Sequence, residues 1–494
     1  MAWNDYPLIK AINLPNATTW TCMVFVLIVM LFVRFARPFQ WRHWDLLLLF
    51  MLTIPLLYLR ETQESRGHEL NAWGKPDQVT AAIYTAAQMM AMPTQSGDNA
   101  FSMTILFDYY ARNDAKWTRH YAFEHQAIWR SYLWLLMVSA LLLFRSLIDL
   151  GLEQRSEFRS NVTTGGMVWL IIVMLVVMIL KSLLPDWPGV PQPQNESLVI
   201  KNLTVMLAET PKATTNVTNV TNILALVCHL LIVVHLVLIG WLHFRNINIG
   251  VAAALLYLLM PYTAILLLST SQVVASMFIV LAITWYRQPI LAGLFLGLGA
   301  GFGFYPAILI PVWMGFYFRR GHWRFLFTFL TVCACFTVFM IWTVGFTQVW
   351  QNVWSLAEWQ AWKFAFKPTA DGLWNTVSLH YAYRIPLLIA FLALMITSAF
   401  WPHPKHLGQL ISWSATLILG VQFWYADGGG TYILWYLPLV ILQTVRPTLT
   451  DVRPAVIDTE KDRLSRCLRR LTGWRRTKPV APLQVPEKPS TMAG

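Results

Sequence analysis

Long apolar runs separated by short basic turns constrain this chain more than any motif in it. Phe25–Val33, Leu46–Leu59, Trp134–Leu143, Val168–Leu180, Ile223–Trp241 and Val251–Leu268 are the first six such runs. A helix needs about 20 mostly apolar residues to cross a bilayer. A soluble domain has one core to fill and a large surface to wet, so it has no use for a dozen such stretches. Charged residues make up 12% of the chain and hydrophobic residues 56%, against about 25% charged in soluble domains. The expected fold is therefore all-α: a polytopic transmembrane protein.

The basic residues predict the topology. Arg34, Arg37 and Arg42 follow the first run; Arg145, Arg155 and Arg159 follow the third; Arg245 and Arg287 end later ones. Arg319, Arg320 and Arg324, then Lys405 in the His403–His406 turn, then the tail from Arg446 complete the series. Turns of this kind stay on the cytoplasmic side. The net charge of +13 reads accordingly as inside anchoring and contact with anionic lipid, not as nucleic-acid binding. The other turns, 60–130, 185–221 and 347–383, fall outside. The alternation closes if Leu291–Phe318 is two short helices, broken near Gly303 and Pro306. That gives about 13 spans in residues 1–445, with a large outer loop after the second. The N-terminus lies outside, and Trp20–Phe35 is a retained first span, not a cleaved signal. The glycine run suits either a cavity-lining break or a close helix-packing face. Residues 446–494 form a basic cytoplasmic tail, with 11 Lys/Arg against five Asp/Glu, in part disordered.

No outward loop carries a pair of cysteines, and no His/Cys/carboxylate spacing suits a metal, so neither a disulfide framework nor a metal site is expected. Asn195, Asn202, Asn216 and Asn219 begin glycosylation sequons in the 185–221 loop. Few charges fall within the spans; Asp45, His229 and His235 are the main ones. That scarcity argues against ion-coupled transport, and the two histidines read as bridges between helices.

The outer loops hold the candidate chemistry. Loop 60–130 is about 70 residues long and carries eight acids against seven Lys/Arg, too long for a plain connector. Asp77 follows Pro76 and opens the stretch Gln78–Met92. It suits a helix N-cap, or a carboxylate above the membrane that takes a proton from an acceptor hydroxyl. His68 and Glu69 precede it, and Asp108 follows. Loop 347–383 sets Lys363, Lys367 and His380 among several tryptophans, and Arg384 comes next. Such a set suits a membrane surface, or a cleft that holds a sugar on indole faces and a phosphate on cations.

Residues 287–324 read Arg287-Gln288-Pro289, a glycine run Gly293–Gly303, Tyr305-Pro306, Pro311 and Arg319-Arg320-Gly321-His322-Trp323-Arg324. With the late Trp435-Tyr436-Leu437-Pro438, this pattern resembles the C-type (GT-C) glycosyltransferases, in particular the polyprenol-phosphomannose-dependent, PimE-like branch. The likeness covers about 245–445. Phe304 stands where a basic residue often precedes the Tyr-Pro. The family likeness implies an integral membrane enzyme of the plasma membrane that moves a mannose-like hexose from a polyprenyl-phosphate donor to a lipid or glycan acceptor. It implies Asp77, or else Glu69, as base; Arg384 with Lys363 or Lys367 on the donor phosphate; His68, Asp108, Tyr305 and His380 about the substrate; and no cofactor. The rival expectations are a lipid transporter or flippase, and a non-catalytic scaffold whose basic tail docks partners.

Overall fold

The computed structural model describes residues 17–34, 41–72, 115–152, 155, 158–183, 213–347, 350, 373–375, 383–425, 428–449 and 452–453. Among them every regular element is a helix. They are α1 (Ala17–Phe32), α2 (Trp41–Met51), α3 (Thr53–Ala72), α4 (Ala115–Gly151), α5 (Thr164–Leu183), α6 (Ala213–Leu242), α7 (Ile247–Leu259), α8 (Pro261–Ile265), α9 (Thr270–Thr284), α10 (Pro289–Phe302), α11 (Ile310–Phe316), α12 (His322–Val344), α13 (Arg384–Phe400), α14 (Leu407–Trp424) and α15 (Ile433–Val445). Short 3-10 turns cover Tyr305–Leu309 and Leu373–Asn375.

Among the described residues five stretches are long and apolar enough to cross a membrane: Trp41–Thr62, Ile128–Gly151, Thr164–Ser182, Val220–Leu242 and His322–Thr343. Seven shorter apolar helices accompany them. Burial, not length, distinguishes the helices. α7, α14 and α15 are 13, 18 and 13 residues long and are buried along nearly their whole length. α5 and α12 are long, yet they leave Trp169 69% and Trp342 78% exposed. Apolar rings turned outward in this way belong on a surface that meets lipid, since water would penalise them. α7, α14 and α15 thus lie under protein, while α5 and α12 turn apolar rings outward as parts of the wall. α4 spans 37 residues, about 55 Å at 1.5 Å per residue. It extends well past a hydrocarbon core of about 30 Å.

Local chemistry sets the breaks. Asn246 caps α7 by accepting from the Asn248 amide at 3.0 Å. Asn161 donates to the carbonyls of Met30 (3.0 Å) and Val33 (2.9 Å) and so closes the end of α1. Pro289 starts α10, and the Gly303 amide caps its end on the Gly299 carbonyl. The chain then turns through Tyr305–Leu309 into α11, so a helical break stands within the glycine-rich stretch.

The glycines of α10 act as a packing face. A Cβ at Gly293 would lie 2.5 Å from the Phe325 carbonyl oxygen, at Gly297 2.9 Å from Val332 Cβ, and at Gly301 2.6 Å from the Phe336 ring, all on α12. The spacing i, i+4, i+8 puts the three on one side of the helix. Only hydrogen side chains allow the two backbones this approach. Gly293→Val is expected to lower stability by about 1–3 kcal/mol, read as the thermal unfolding midpoint in detergent. Gly165→Ala on α5, where nothing lies within 4 Å, is the control and should hold or raise it. Equal midpoints for Gly293→Val and the unsubstituted protein would contradict the packing.

Candidate functional site

Two polar centres stand at opposite ends of the central helices. The first is ionic. Asp149, near the end of α4, has no solvent exposure. Its Oδ2 accepts from Ser412 Oγ at 2.7 Å and from Arg446 Nη2 at 2.8 Å. Its Oδ1 meets Arg145 Nη1 at 3.4 Å, one helical turn away, and pairs with Arg155. Arg145 also pairs with Asp45 on α2: Nη2 donates to Oδ2 at 3.1 Å, and Nε stands 2.7 Å from Oδ1. Arg155 donates to the Gln443 carbonyl at 2.6 Å, and Ser146 donates to Gln443 Oε1 at 3.1 Å. Two carboxylates and three guanidinia thereby tie α2, α4, α14 and the end of α15. Arg446 is wholly buried, inside a compact unit that runs to Ala455.

The second centre is aromatic. Trp435, at the start of α15, stacks on Tyr305 and on Tyr432, with ring centroids 4.2 Å away in each case. Tyr425, just past α14, stacks on Phe304 at 5.2 Å and stands 6.1 Å from Trp435. The Trp424 carbonyl, one residue back, accepts from Arg384 Nε at 3.0 Å and Nη2 at 2.8 Å. Trp374 donates to the Phe423 carbonyl at 2.9 Å and pins the 373–375 turn to the end of α14. The Tyr305 hydroxyl donates to the Gln272 carbonyl at 3.2 Å. The indole N–H groups of Trp424 and Trp435 are buried and have no hydrogen-bond partner among the described residues. Buried donors are almost always satisfied, so each of these two indoles holds a spare donor near the same end of the bundle, Tyr425 lying between their rings.

Distance along the helices separates the centres. Ser412 and Trp424 are twelve residues apart on α14, about 18 Å by helical rise. On α15, Trp435 opens the helix and Arg446 closes it.

The residues singled out from sequence fall unevenly. Tyr305 and Arg384 both reach the aromatic centre, and both are buried. His68 and Glu69 are neighbours near the end of α3, which stops at Ala72. Asp77, Asp108, Lys363, Lys367 and His380 lie outside the described residues, as do most of the three outer loops and nearly all of the tail. His229 bridges helices: Nδ1 meets the Tyr257 hydroxyl at 2.8 Å and Nε2 the Leu267 carbonyl at 3.1 Å. His235 instead bonds the Leu231 carbonyl of its own helix, at 2.7 Å. Among the described residues no group of three or more His, Cys, Asp or Glu is placed to hold a metal. Asp149 was not visible as a functional position from sequence, although an acid four residues from Arg145 on an apolar span is the signal that marks one.

The connector Trp401–His406 contributes a titrating cap. His406 Nδ1 accepts from the Gln409 amide at 3.3 Å, and Gln409 Oε1 accepts from the His406 amide at 3.2 Å. Burial pushes the imidazole down to about 4, with Arg446 and Arg453 adding to the shift. It caps α14 as a neutral acceptor.

Compared with protein-family models, curated proteins and solved structures, the chain matches none. The class therefore rests on the structure: this is an α-helical, multi-pass membrane protein.

Two outcomes are expected. Asp149→Asn leaves three buried guanidinia against one carboxylate and should cost about 3–5 kcal/mol. Ser412→Ala, which removes one hydrogen bond, should cost about 1 kcal/mol; unfolding midpoints in detergent check both. For His406, a folded value of about 4 lies below the usual value near 6.5. The unfolded chain then binds the proton first as pH falls. Stability is full above about pH 6.5 and declines toward pH 4. Midpoints at pH 7.5 and pH 5 should differ more for the unsubstituted protein than for His406→Asn, which keeps a capping oxygen.

Proposed function

We propose that the protein is an integral membrane glycosyltransferase that moves a mannose-like hexose from a polyprenyl-phosphate donor to a lipid or glycan acceptor at the outer face of the plasma membrane. One observation carries the reading: Tyr305, Trp435, the two orphan indole donors and Arg384 share one end of the bundle. Aromatic faces suit the C–H faces of a sugar. Indole N–H groups suit its hydroxyls, and a guanidinium suits a phosphate oxygen. The break between α10 and α11, which sets Tyr305 there, lies in the stretch that resembles the family.

The reading includes a 13-pass topology with the N-terminus outside and the C-terminus inside. Its support is the way the helices run. Asn161 meets the end of α1, His243 meets the Thr284 carbonyl at the end of α9, and Arg446 ends α15 in the ionic centre. These contacts set the ends of α1, α6, α9 and α15 beside basic turns, as an alternating course requires. The basic turns gather at the ionic end, which the positive-inside rule assigns to the cytoplasm.

In the proposed reaction Asp77, or Glu69, accepts the acceptor hydroxyl proton. The oxygen attacks the anomeric carbon from the face opposite the phosphate. The bond from that carbon to the phosphate oxygen breaks, the configuration inverts, and polyprenyl phosphate leaves with its electron pair. Arg384 with Lys363 or Lys367 balances the charge that grows on that leaving group. No cofactor takes part.

The test is transfer from labelled polyprenyl-phosphate mannose by the purified chain in liposomes. Asp77→Asn or Glu69→Gln should abolish turnover at unchanged expression; full activity in both would overturn the carboxylate assignment. Trp435→Phe keeps the ring and removes one donor, so it should raise the donor KM about 3–10-fold with little change in kcat. If no labelled product forms and only ordinary phospholipid co-purifies after the donor is offered, the transferase reading fails.

A further inference from the structure

Among the described residues two that are not glycine adopt left-handed backbone, and both are arginines: Arg245 (φ 53°) and Arg319 (φ 59°). Glycine normally ends a helix in this conformation because it has no Cβ to strain. Two residues after Arg319 the same turn uses Gly321 (φ 103°). An arginine kept where glycine is easier points to work for its side chain.

The surroundings of Arg319 indicate that work. Its Cζ stands 5.5 Å from the centre of the Phe318 ring. Phe318 is 47% exposed, and two imidazoles neighbour it: His403, edge-on at 5.5 Å, and His322, tilted at 5.8 Å. His403 belongs to the connector between α13 and α14. Its imidazole lies below the ordinary range, first through loss of solvent and then through Lys405, Arg319 and Arg320. Every charged group that acts on it is a cation. Lys405 is buried with its Nζ donating to the Ala399 carbonyl at 2.9 Å, and burial pushes its ammonium down to about 8. Outward from the cations, Phe400 and Trp401 are 75% and 55% exposed.

We propose that the notch between Phe318–Arg319 and Trp401–Lys405 binds the headgroup of an anionic phospholipid. The cations converge on one small region, and a phosphodiester balances them through the guanidinium fork. The exposed rings beside them suit the boundary between headgroups and acyl chains, where amphipathic aromatics collect. That apolar rim distinguishes a lipid from a soluble anion. The inference needs only a membrane protein, so it stands or falls independently of the transferase reading.

The test uses the full chain in mild detergent, with retained lipid read by native mass spectrometry after titration with phosphatidylglycerol or phosphatidylcholine. Arg319→Gly removes the cation while relaxing the turn, so its unfolding midpoint should match or exceed that of the unsubstituted protein. Its affinity for phosphatidylglycerol should fall about fivefold, the effect of one basic residue at an anionic surface, with phosphatidylcholine unaffected. Arg245→Gly removes the same charge from the same kind of backbone position in another turn and should leave phosphatidylglycerol binding unchanged. Undiminished binding by Arg319→Gly would overturn the proposal. An equal loss in Arg245→Gly would also overturn it, because the effect would then be general surface charge. Displacement of the lipid by equimolar inorganic phosphate would do the same, because the notch would then be a small-anion site.

Discussion

The rest of the bundle depends on the burial of Asp149. A carboxylate with no solvent exposure is tolerable only when its lone pairs are filled and its charge is opposed. Here Ser412, Arg446, Arg145 and Arg155 do both, and Arg145 extends the set to Asp45. The partners come from stretches up to 297 residues apart. Apolar packing among helices inside lipid is weakly directional, since a side chain can find equivalent contacts after a small slip or rotation. A cluster of five charged groups cannot slip. Its net value to stability is small or negative against an apolar replacement, so its contribution is register: it fixes which ends of α2, α4, α14 and α15 meet.

That register determines what can form at the other end. With α14 and α15 locked at the ionic end, Trp424, Tyr425, Tyr432 and Trp435 are brought together at the other end, about 18 Å away along α14. Into the same region the break after α10 delivers Tyr305, and α13 delivers Arg384. The burial of α7, α14 and α15 along nearly their whole length serves the same arrangement. Irregular backbone between α10 and α11 survives at membrane depth because protein covers it. Tyr305 and Leu309 in that turn are 1% and 0% exposed.

Much of the fold was legible in the sequence because apolar periodicity acts locally. The spans at Trp134–Leu143 and Val168–Leu180 and the break beyond Gly303 follow from residues close in sequence; of the two span histidines expected to bridge helices, His229 does and His235 does not. The glycine run was ambiguous between a cavity and a packing face, and contacts across to α12 were needed to show Gly293, Gly297 and Gly301 as the latter. Arg145, Arg155 and Arg446 read as topology markers in basic turns, which hid their second role. Spacing along the chain carries no trace of a partner 288 or 297 residues away. Tyr305 was picked from a family-like pattern, and Arg384 from its place just after the tryptophan-rich outer loop. The orphan indole donors of Trp424 and Trp435 were not, because satisfaction of a donor is a property of the folded surroundings.

The central claim is that the ionic and aromatic ends face opposite sides of the membrane, the aromatic end outward. Single cysteines placed at Asn246 and at Thr347 in a cysteine-free background test it most directly. Asn246 lies in the turn between α6 and α7, and Thr347 lies just past α12. A membrane-impermeant maleimide applied to intact cells should label Thr347→Cys at once and Asn246→Cys only after permeabilisation. The reverse pattern would put the aromatic centre in the cytoplasm and contradict an outer-face transferase.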